Sequence, residues 1–569
     1  MVNIVHRPRQ PEAEKNLLAA GVPDLMARLL AARGVDTPET LENSLAHLLP
    51  PDSLLNNKKM AALLADAIEA QQKILIVGDY DADGATATAV AMKGLRAFGA
   101  NVEFLVPNRF EYGYGLTPEI VELAAKKMPD IILTVDNGIA SVDGVARANA
   151  LGLRVLITDH HLPGNIAPEA ACMINPNQHG CTFASKHLAG VGVMFYALLA
   201  LRAEFRARGV YEKMREPNLT SLLDLVALGT VADLVKLDAN NRILVEQGLR
   251  RIRAGACCEG IRALLNVSGR LHENATAQDL GFYVGPRLNA AGRLDDMTLG
   301  IQCLLAESAS DATKKAHDLH TFNQQRRSIE ADMQDDAMLS LEDINIEKKF
   351  SLSLFQEHWH QGVIGILASR IKEKFHRPVI AFADAGDGIL KGSGRSIAGL
   401  HLRDALDLLS KHQPNLILKF GGHAMAAGLS IEKKHFDFFN QAFEAVVQSL
   451  ITESELESVI EVDGALSVEE MTLEYASALE RQVWGQGFPT PLFFDAFNVL
   501  DYRILADKHL KLTLGKANKS WEAVMFNQTI LPPKQVRLVY QLQTNRFNGA
   551  EKVQLNVRHI VSDEQLIEN

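Results

Sequence analysis

From residue 73 onward, short apolar runs alternate with longer stretches of helical period. The runs are KILIVGD (73–79), VEFLV (102–106), IILTVD (131–136) and RVLITD (154–159). Helix-compatible stretches over Ala85–Phe98, Pro118–Lys127 and Val142–Leu151 separate them. A strand buried on both faces reads as a continuous apolar run, so this alternation predicts α/β architecture with a parallel, doubly wound sheet. Three of the four runs end in an aspartate: Asp79, Asp136 and Asp159. Such sheets bind ligands beyond the carboxyl ends of their strands. These aspartates, far apart in the chain, are therefore expected along one sheet edge.

The rest of the chain divides by pattern. Residues 1–50 read as a helical preface ending at Pro50-Pro51, and a short helix over Lys58–Ala70 leads into the first α/β domain, placed at 51–240. Residues 241–345 form a helical connector, in which ASDATKKAHDLHTFNQQRRSIEADMQ (309–334) reads as a long solvated helix. A second α/β domain, 346–450, contains SLSLF, the helix IGILASRIKEKF and the strand PVIAFA. In 451–569, the runs FNVLDYRI, HLKLTLG, SWEAVMF, QVRLVYQLQT and KVQLNVRHIV alternate as strands do and predict a small, OB-like β-barrel.

Composition narrows the class. With 569 residues, several domains are required. No apolar run reaches the length of a membrane span, and MVNIVHRPRQPEAEK lacks a signal-peptide core. The five cysteines are scattered and form no CxxC pair, which fits a reducing cytoplasm and neither a disulfide framework nor a zinc ribbon. The net charge of −11 argues against coating nucleic acid by bulk electrostatics. It leaves room for a nuclease, because metal-binding carboxylates subtract from net charge and their ions restore positive potential at the phosphate.

Four acidic motifs carry the chemistry. GDYDADG (78–84) begins like an EF-hand loop, but Val90 stands where that loop needs a bidentate Glu, and the motif follows a strand. Asp81 and Asp83 read instead as hard-cation ligands, against the plainer alternative of a solvated acidic turn. In TVDNGIA (134–140), Asp136 ends a strand, although Asp-Asn-Gly is also an ordinary turn. TDHH (158–161) sets His160 and His161 after Asp159, where one imidazole can bind metal while its neighbour serves a phosphate or moves a proton. A surface histidine pair is the alternative. ALGTVADLV (227–235) places Asp233 in apolar surroundings, where an unpartnered carboxylate is costly unless it is an exposed helix end. Asp81, Asp83, Asp136, His160 and Asp233 suit Mn²⁺ or Mg²⁺ better than structural zinc. Two ions about 3.5–4 Å apart account best for so many charged ligands.

In this order, GDYDADG, VDNG, TDHH and GTVAD resemble the motifs of the DHH phosphoesterase superfamily. The resemblance implies that Asp81, Asp83, Asp136, His160 and Asp233 hold two Mn²⁺ or Mg²⁺ ions in a DHH catalytic domain. It sets His161 nearer the substrate phosphate, has Asp159 orient a histidine, and leaves Asp79 as a ligand or an orienting group. His161, Asp159 and Asp79 are thus the catalytic candidates.

Arginine- and glycine-rich loops lie outside these motifs. They are VPNRFEYGYG (Arg109, Tyr112, Tyr114), GPRLNAAGR (Arg287, Asn289, Arg293), QGVIGILASR, KGSGRS (Ser393, Arg395) and FGGHAMAAG, which holds His423 and can present amides to an anion at a helix start. Arginine forks and serine hydroxyls match phosphate oxygens; a tight turn with a solvated arginine is the alternative for each loop alone. The second α/β domain, ending in GGHAMAAG, resembles a DHHA1 domain. From about residue 50 to 569 the whole set resembles the DHH exonucleases that digest single-stranded DNA. That resemblance implies 5′→3′ release of mononucleotides in DNA repair and recombination. It also implies that Arg109, Ser393 and Arg395 hold the terminal 5′ phosphate, that Arg287 and Arg293 contact the backbone, and that the partners are single-stranded-DNA-binding protein and a RecQ-type helicase. We expect a monomer without a membrane partner.

In the barrel region, Arg503, Lys508, Lys511, Lys516 and Lys519 outnumber Asp501 and Asp507. Tyr502, Trp521, Tyr540 and Phe547 either stack bases beside this basic face or fill the barrel, and filling is the better reading for any one of them. Two other functions stay open: a shorter-substrate DHH hydrolase acting on oligonucleotides, cyclic dinucleotides or pyrophosphate, and a non-catalytic DNA-binding scaffold. The scaffold expects lost ligands, whereas every metal position here is filled.

Overall fold

The computed structural model describes residues 2–342, 344–547 and 549–561, apart from the side chains of Arg109, Phe110 and Phe547. By its internal contacts the chain divides into two compact units. One is Arg7–Asn323 together with Val462–Val561, and the other is Gln324–Glu461 with the strand Val2–His6. The helix Ala309–Leu341 carries the chain from the first into the second.

In the first unit the four apolar runs form the strands Lys73–Gly78, Asn101–Leu105, Ile131–Val135 and Arg154–Thr158. A fifth strand, Cys172–Ile174, is too short to stand out in the apolar pattern. All five are parallel, in the order Asn101, Lys73, Ile131, Arg154, Cys172. Side chains alternate across the sheet. Leu75, Val77, Ile132, Val155 and Ile157 pack with Ile120, Val121 and Val145 on one face. Ile74, Ile76, Leu133 and Leu156 join the main core on the other, with the helices Ala82–Ala97 and Gly190–Ala207. Register pairs Gly78 with Val135 and Val135 with Thr158, so the residues that follow, Asp79, Asp136 and Asp159, emerge side by side.

The same unit contains a closed barrel of Phe493–Leu505, His509–Lys516, Lys519–Met525, Ala550–Val561 and Gln535–Phe547, neighbours in that order. Only the Lys519 and Ala550 strands pair in parallel. Two of the four aromatics fill it. The Tyr540 hydroxyl donates to Asp495 at 2.7 Å, and Trp521 Nε1 donates to the Met471 carbonyl at 3.1 Å. Tyr502 is exposed, and the side chain of Phe547 lies outside the described residues. Ahead of the barrel, Asp463 accepts from both terminal guanidinium nitrogens of buried Arg33 at 2.8 Å.

The second unit has a five-stranded mixed sheet: Lys419–Gly422, Ala426–Glu432, Ile389–Arg395, Val379–Asp384 and Leu352–Phe355, in that order. Several local expectations are corrected here. Val2–His6 is a strand paired with Ser458–Val462, not part of a helical preface. KGSGRS lies mostly within a strand rather than a turn, because Phe382 and Leu402 occupy the space that Cβ atoms on Gly392 and Gly394 would need, at 2.6 and 2.7 Å. FGGHAMAAG forms a hairpin, not a helix start. In the first unit, GPRLNAAGR is the helix Gly285–Leu294, begun by a proline suited to its first turn. Among the described residues no helix is long and apolar enough to cross a membrane.

Candidate active site

The strand Lys73–Gly78 runs into Asp79, whose Oδ1 accepts the Tyr80 amide at 2.7 Å. Asp81 then caps the helix Ala82–Ala97 by accepting from the Gly84 amide at 3.0 Å, as a short acidic side chain does at this position. Asp83, within the first turn, is held by a second helix. The amides of Gly190 and Val191, at the start of Gly190–Ala207, donate to its two oxygens at 2.7 and 3.0 Å. A helix N-terminus favours an anion there.

Asp136 lies in the left-handed region, φ 62°, which turns its carboxylate toward the neighbouring strand ends. It approaches Gly190 so closely that a Cβ there would stand 2.6 Å from Asp136 Cβ. One strand over, Asp159 collects four donors: the amides of Ile139 (2.8 Å), His160 (2.7 Å) and His161 (3.1 Å), and His161 Nδ1 (2.8 Å). Burial opposes the charge on Asp159, but the bond from His161 and the nearby histidines outweigh it and hold the carboxyl below its ordinary value. Burial likewise opposes charge on His161. The Asp159 bond and the surrounding carboxylates prevail, raising the imidazole to about 9.

His160 turns the other way. Its Nε2 lies 3.2 Å from Asp136 Oδ1, 3.5 Å from Asp233 Oδ2 and 3.9 Å from Asp83 Oδ2. Asp233 caps the C-terminus of the helix Leu223–Ala232. Ligand atoms therefore gather in two trios, Asp83–His160–Asp233 and Asp79–Asp81–Asp136, each within 4.8 Å, while Asp136 also groups with His160 and His161. Burial, then the charge of Asp81, raises the Asp83 carboxyl to about 7. Burial, then Asp83, pushes Asp136 and Asp233 well above the carboxylate range. Asp136 Oδ1 is buried and accepts no hydrogen bond among the described residues. Crowded carboxylates with an idle buried oxygen are what a hard divalent cation satisfies, so the donor set fits Mn²⁺ or Mg²⁺.

The substrate candidates fall in several places. Asn289 Oδ1 accepts the Ala82 amide at 2.8 Å and thereby buttresses the Asp81–Asp83 turn. Arg287 is mostly buried, donating to His320 Nδ1 at 3.1 Å and to the Tyr283 carbonyl at 2.5 Å. Arg293, half-buried, is in the same helix. Arg109 opens the short helix Arg109–Tyr112, but its side chain lies outside the described residues. Ser393, Arg395 and His423 belong to the other unit. There Arg395 Nη1 donates to Ser393 Oγ at 3.2 Å, and a Cβ on Gly365 would meet both Arg395 Nη2 and Ser393 Oγ at 2.9 Å, so the start of the helix Ile364–Phe375 abuts the pair. His423 is exposed in the hairpin turn.

Asn175 and Asn177 escaped the sequence analysis as site components, and Tyr114, singled out there only within the VPNRFEYGYG loop, meets His161. The Tyr114 hydroxyl lies 3.1 Å from the His161 ring nitrogens. Asn175 and Asn177 donate to the His161 and His160 carbonyls at 2.9 and 2.6 Å, fastening the histidine turn from below. Their signal was the tight INPNQ segment that follows the short fifth strand.

Family models match the chain in three places: the DHH family N-terminal domain over residues 73–230, the DHHA1 domain over 347–449, and the RecJ OB domain over 462–559. The single-stranded-DNA-specific exonuclease RecJ of Dickeya dadantii (strain 3937) is 50% identical over 573 residues, covering 98% of this chain and 100% of that protein. The Escherichia coli (strain K12) protein of the same name is 48% identical, covering 95% and 96%. Among solved structures, RecJ from Thermus thermophilus in complex with Mn²⁺ has a TM-score of 0.81 at 29% identity, covering 98% of this chain and 79% of that one. Its complex with Mg²⁺ has a TM-score of 0.77 at 28% identity, covering 98% and 78%.

Proposed function

The chain belongs to the RecJ family of DHH exonucleases, and from that membership we propose that it degrades single-stranded DNA 5′→3′, releasing 5′-mononucleotides in DNA repair and recombination. The observation that carries this reading is the pair of ligand trios at one sheet edge, linked by the 3.2 Å approach of Asp136 and His160. The trios would hold two Mn²⁺ or Mg²⁺ ions, which when bound supply Lewis acidity at the phosphoryl oxygens and a water of lowered pKa.

The chain's own groups do the rest. Asp83 is held by helix amides and Asp81 by its cap, so both carboxylates are oriented before any ligand arrives. His161, whose Nδ1 lies 2.8 Å from Asp159 Oδ1, is set among the ligands, where it would serve a phosphoryl oxygen. In the other unit, Arg395 and Ser393 beside a helix start offer donors suited to a terminal 5′ phosphate. The mostly buried Arg287 and the half-buried Arg293 contribute through their helix, and His423 is exposed at the surface. Cytoplasmic work beside single-stranded-DNA-binding protein and a RecQ-type helicase is part of the same reading.

The test is Mn²⁺-dependent digestion of single strands blocked at one end. A 5′ block should stop release of mononucleotides and a 3′ block should not; the reverse pattern contradicts the polarity. Turnover confined to dinucleotides would instead identify a short-oligonucleotide phosphodiesterase. Asp136→Ala should abolish cleavage while DNA binding is retained.

A further inference from the structure

A cavity of about 390 Å³ opens in the first unit, away from the sheet edge. Its walls are the end of the helix Ala82–Ala97, the start of Leu223–Ala232, the last turn of Ala239–Arg253 and the start of Glu259–Val267. The first two of these helices also carry Asp83 and Asp233, but at their opposite ends. At 1.5 Å per residue, Lys93 lies about 15 Å along its helix from Asp83, and Asp224 about 14 Å from Asp233. The cavity is therefore separate from the ligand trios. Its volume falls within the range of small-molecule sites, roughly 300–1,000 Å³.

Lys93 and Arg251 are the cations among the lining residues, and Asp224 is the anion. Asp224 is fully buried and both of its oxygens are engaged. The Leu225 amide donates to Oδ1 at 2.9 Å and the Cys258 amide to Oδ2 at 2.7 Å. Arg251 donates from Nη2 to the Ala256 carbonyl at 3.0 Å. Its Nε is buried and has no hydrogen-bond partner among the described residues. Lys93, half-buried, makes no hydrogen bond or ion pair among them. A basic group in the last turn of a helix is ordinary by itself, because it meets the negative end of the helix dipole. That explains the place of Arg251 and leaves unexplained a buried donor without an acceptor, which is costly unless a ligand supplies one. The rest of the wall is largely apolar, with Ala97, Leu219, Leu222, Leu225 and Ala256. Burial raises the Cys257 and Cys258 thiols, so they line the cavity as neutral groups and not as nucleophiles.

We propose that this cavity binds a small organic phosphate, the class that includes the 5′-mononucleotides an exonuclease releases. Only the source of the ligand rests on the exonuclease reading. Two cations reaching from different helices, with one positive charge in excess, suit a tetrahedral anion. Arg251 Nε and the Lys93 ammonium donate to different oxygens of one phosphoryl group, and the apolar wall takes the carbon skeleton. Binding is non-covalent, since the thiols stay protonated.

The experiment dialyses the full-length protein with Mg²⁺ to equilibrium against radiolabelled thymidine 5′-phosphate, as wild type, Lys93→Gln and Lys93→Arg. Lys93→Gln should weaken one class of bound ligand about 10–100-fold, the effect of losing one charged hydrogen bond, and Lys93→Arg should restore it. Ribose 5-phosphate should displace this Lys93-dependent ligand, and thymidine should not. Equal affinity for the two esters supports a site that reads the phosphate alone; a preference for thymidine 5′-phosphate supports the nuclease product as its ligand. Displacement by thymidine, or identical binding curves for wild type and Lys93→Gln, overturns the site. Lys93→Gln should also digest single strands at the wild-type rate. A drop in that rate would place Lys93 on the nucleic-acid path and overturn the proposal as well. The binding measurements need no turnover, so a wild type that leaves single strands intact loses the exonuclease reading and keeps the phosphate site.

Discussion

At Asp136 three local facts meet: a left-handed backbone, the missing Cβ of Gly190, and the His160 ring at 3.2 Å. Each serves to hold a buried carboxylate among others of like charge. Such an arrangement favours ligand binding at the expense of the metal-free fold. Asp136→Asn keeps the shape and removes one charge. It is expected to raise the melting temperature of the chelated protein and to lower Mn²⁺-dependent turnover by more than about 100-fold, beyond the usual cost of an outer-shell change. Differential scanning fluorimetry in EDTA and a nuclease assay read the two effects, and a variant melting below wild type in EDTA would count against stored repulsion. The ligand types were legible from residue chemistry, since aspartates after buried strands have few other uses. The partners were not. The amide oxygen of Asn289, a substrate candidate by sequence, accepts the Ala82 amide at 2.8 Å.

At the scale of elements, the candidate ligands are held by helix ends and strand ends rather than by loops. Asp81 begins one helix, Asp83 is bound by the start of a second, and Asp233 ends a third. Asn289 joins a fourth helix to this set. Asn289→Ala should therefore raise the Mn²⁺ concentration for half-maximal activity about 10–100-fold, the usual cost of losing a group that orients ligands, with KM for DNA little changed. A change confined to KM would return Asn289 to the role of a substrate contact. Periodicity announced the parallel strands because burial on both faces leaves an unbroken apolar run. It missed Cys172–Ile174, three residues long, and misread KGSGR, whose small residues look like a turn until Phe382 and Leu402 are seen filling the space above them.

Over the whole chain, the barrel region and the DHH region share one hydrophobic core within the first unit. The Arg33–Asp463 pair, 1% and 3% exposed, joins residues far apart in sequence inside that unit. Without Arg33, the Asp463 carboxylate keeps the longer 3.5 Å contact with Arg7 Nε and the Leu492 amide at 3.0 Å. Arg33→Ala should cost about 3 kcal/mol, the low end for a broken buried pair, lowering the first unfolding midpoint in urea, while a surface control such as Lys58→Ala should not. An unchanged midpoint for Arg33→Ala would show that the barrel region is not stabilised by that pair.

Sequence alone determined the fold class, the strands that matter, and the identity of the candidate metal ligands, because burial periodicity and ligand chemistry are local properties of a chain. Tertiary structure decided how the carboxylates are held, which arginines turn inward, and that Asn175 and Asn177 join Tyr114 around the histidines. Those outcomes depend on which distant backbone amide, ring or missing Cβ lies within about 3 Å, a distance that strand register and helix packing set and residue spacing does not encode.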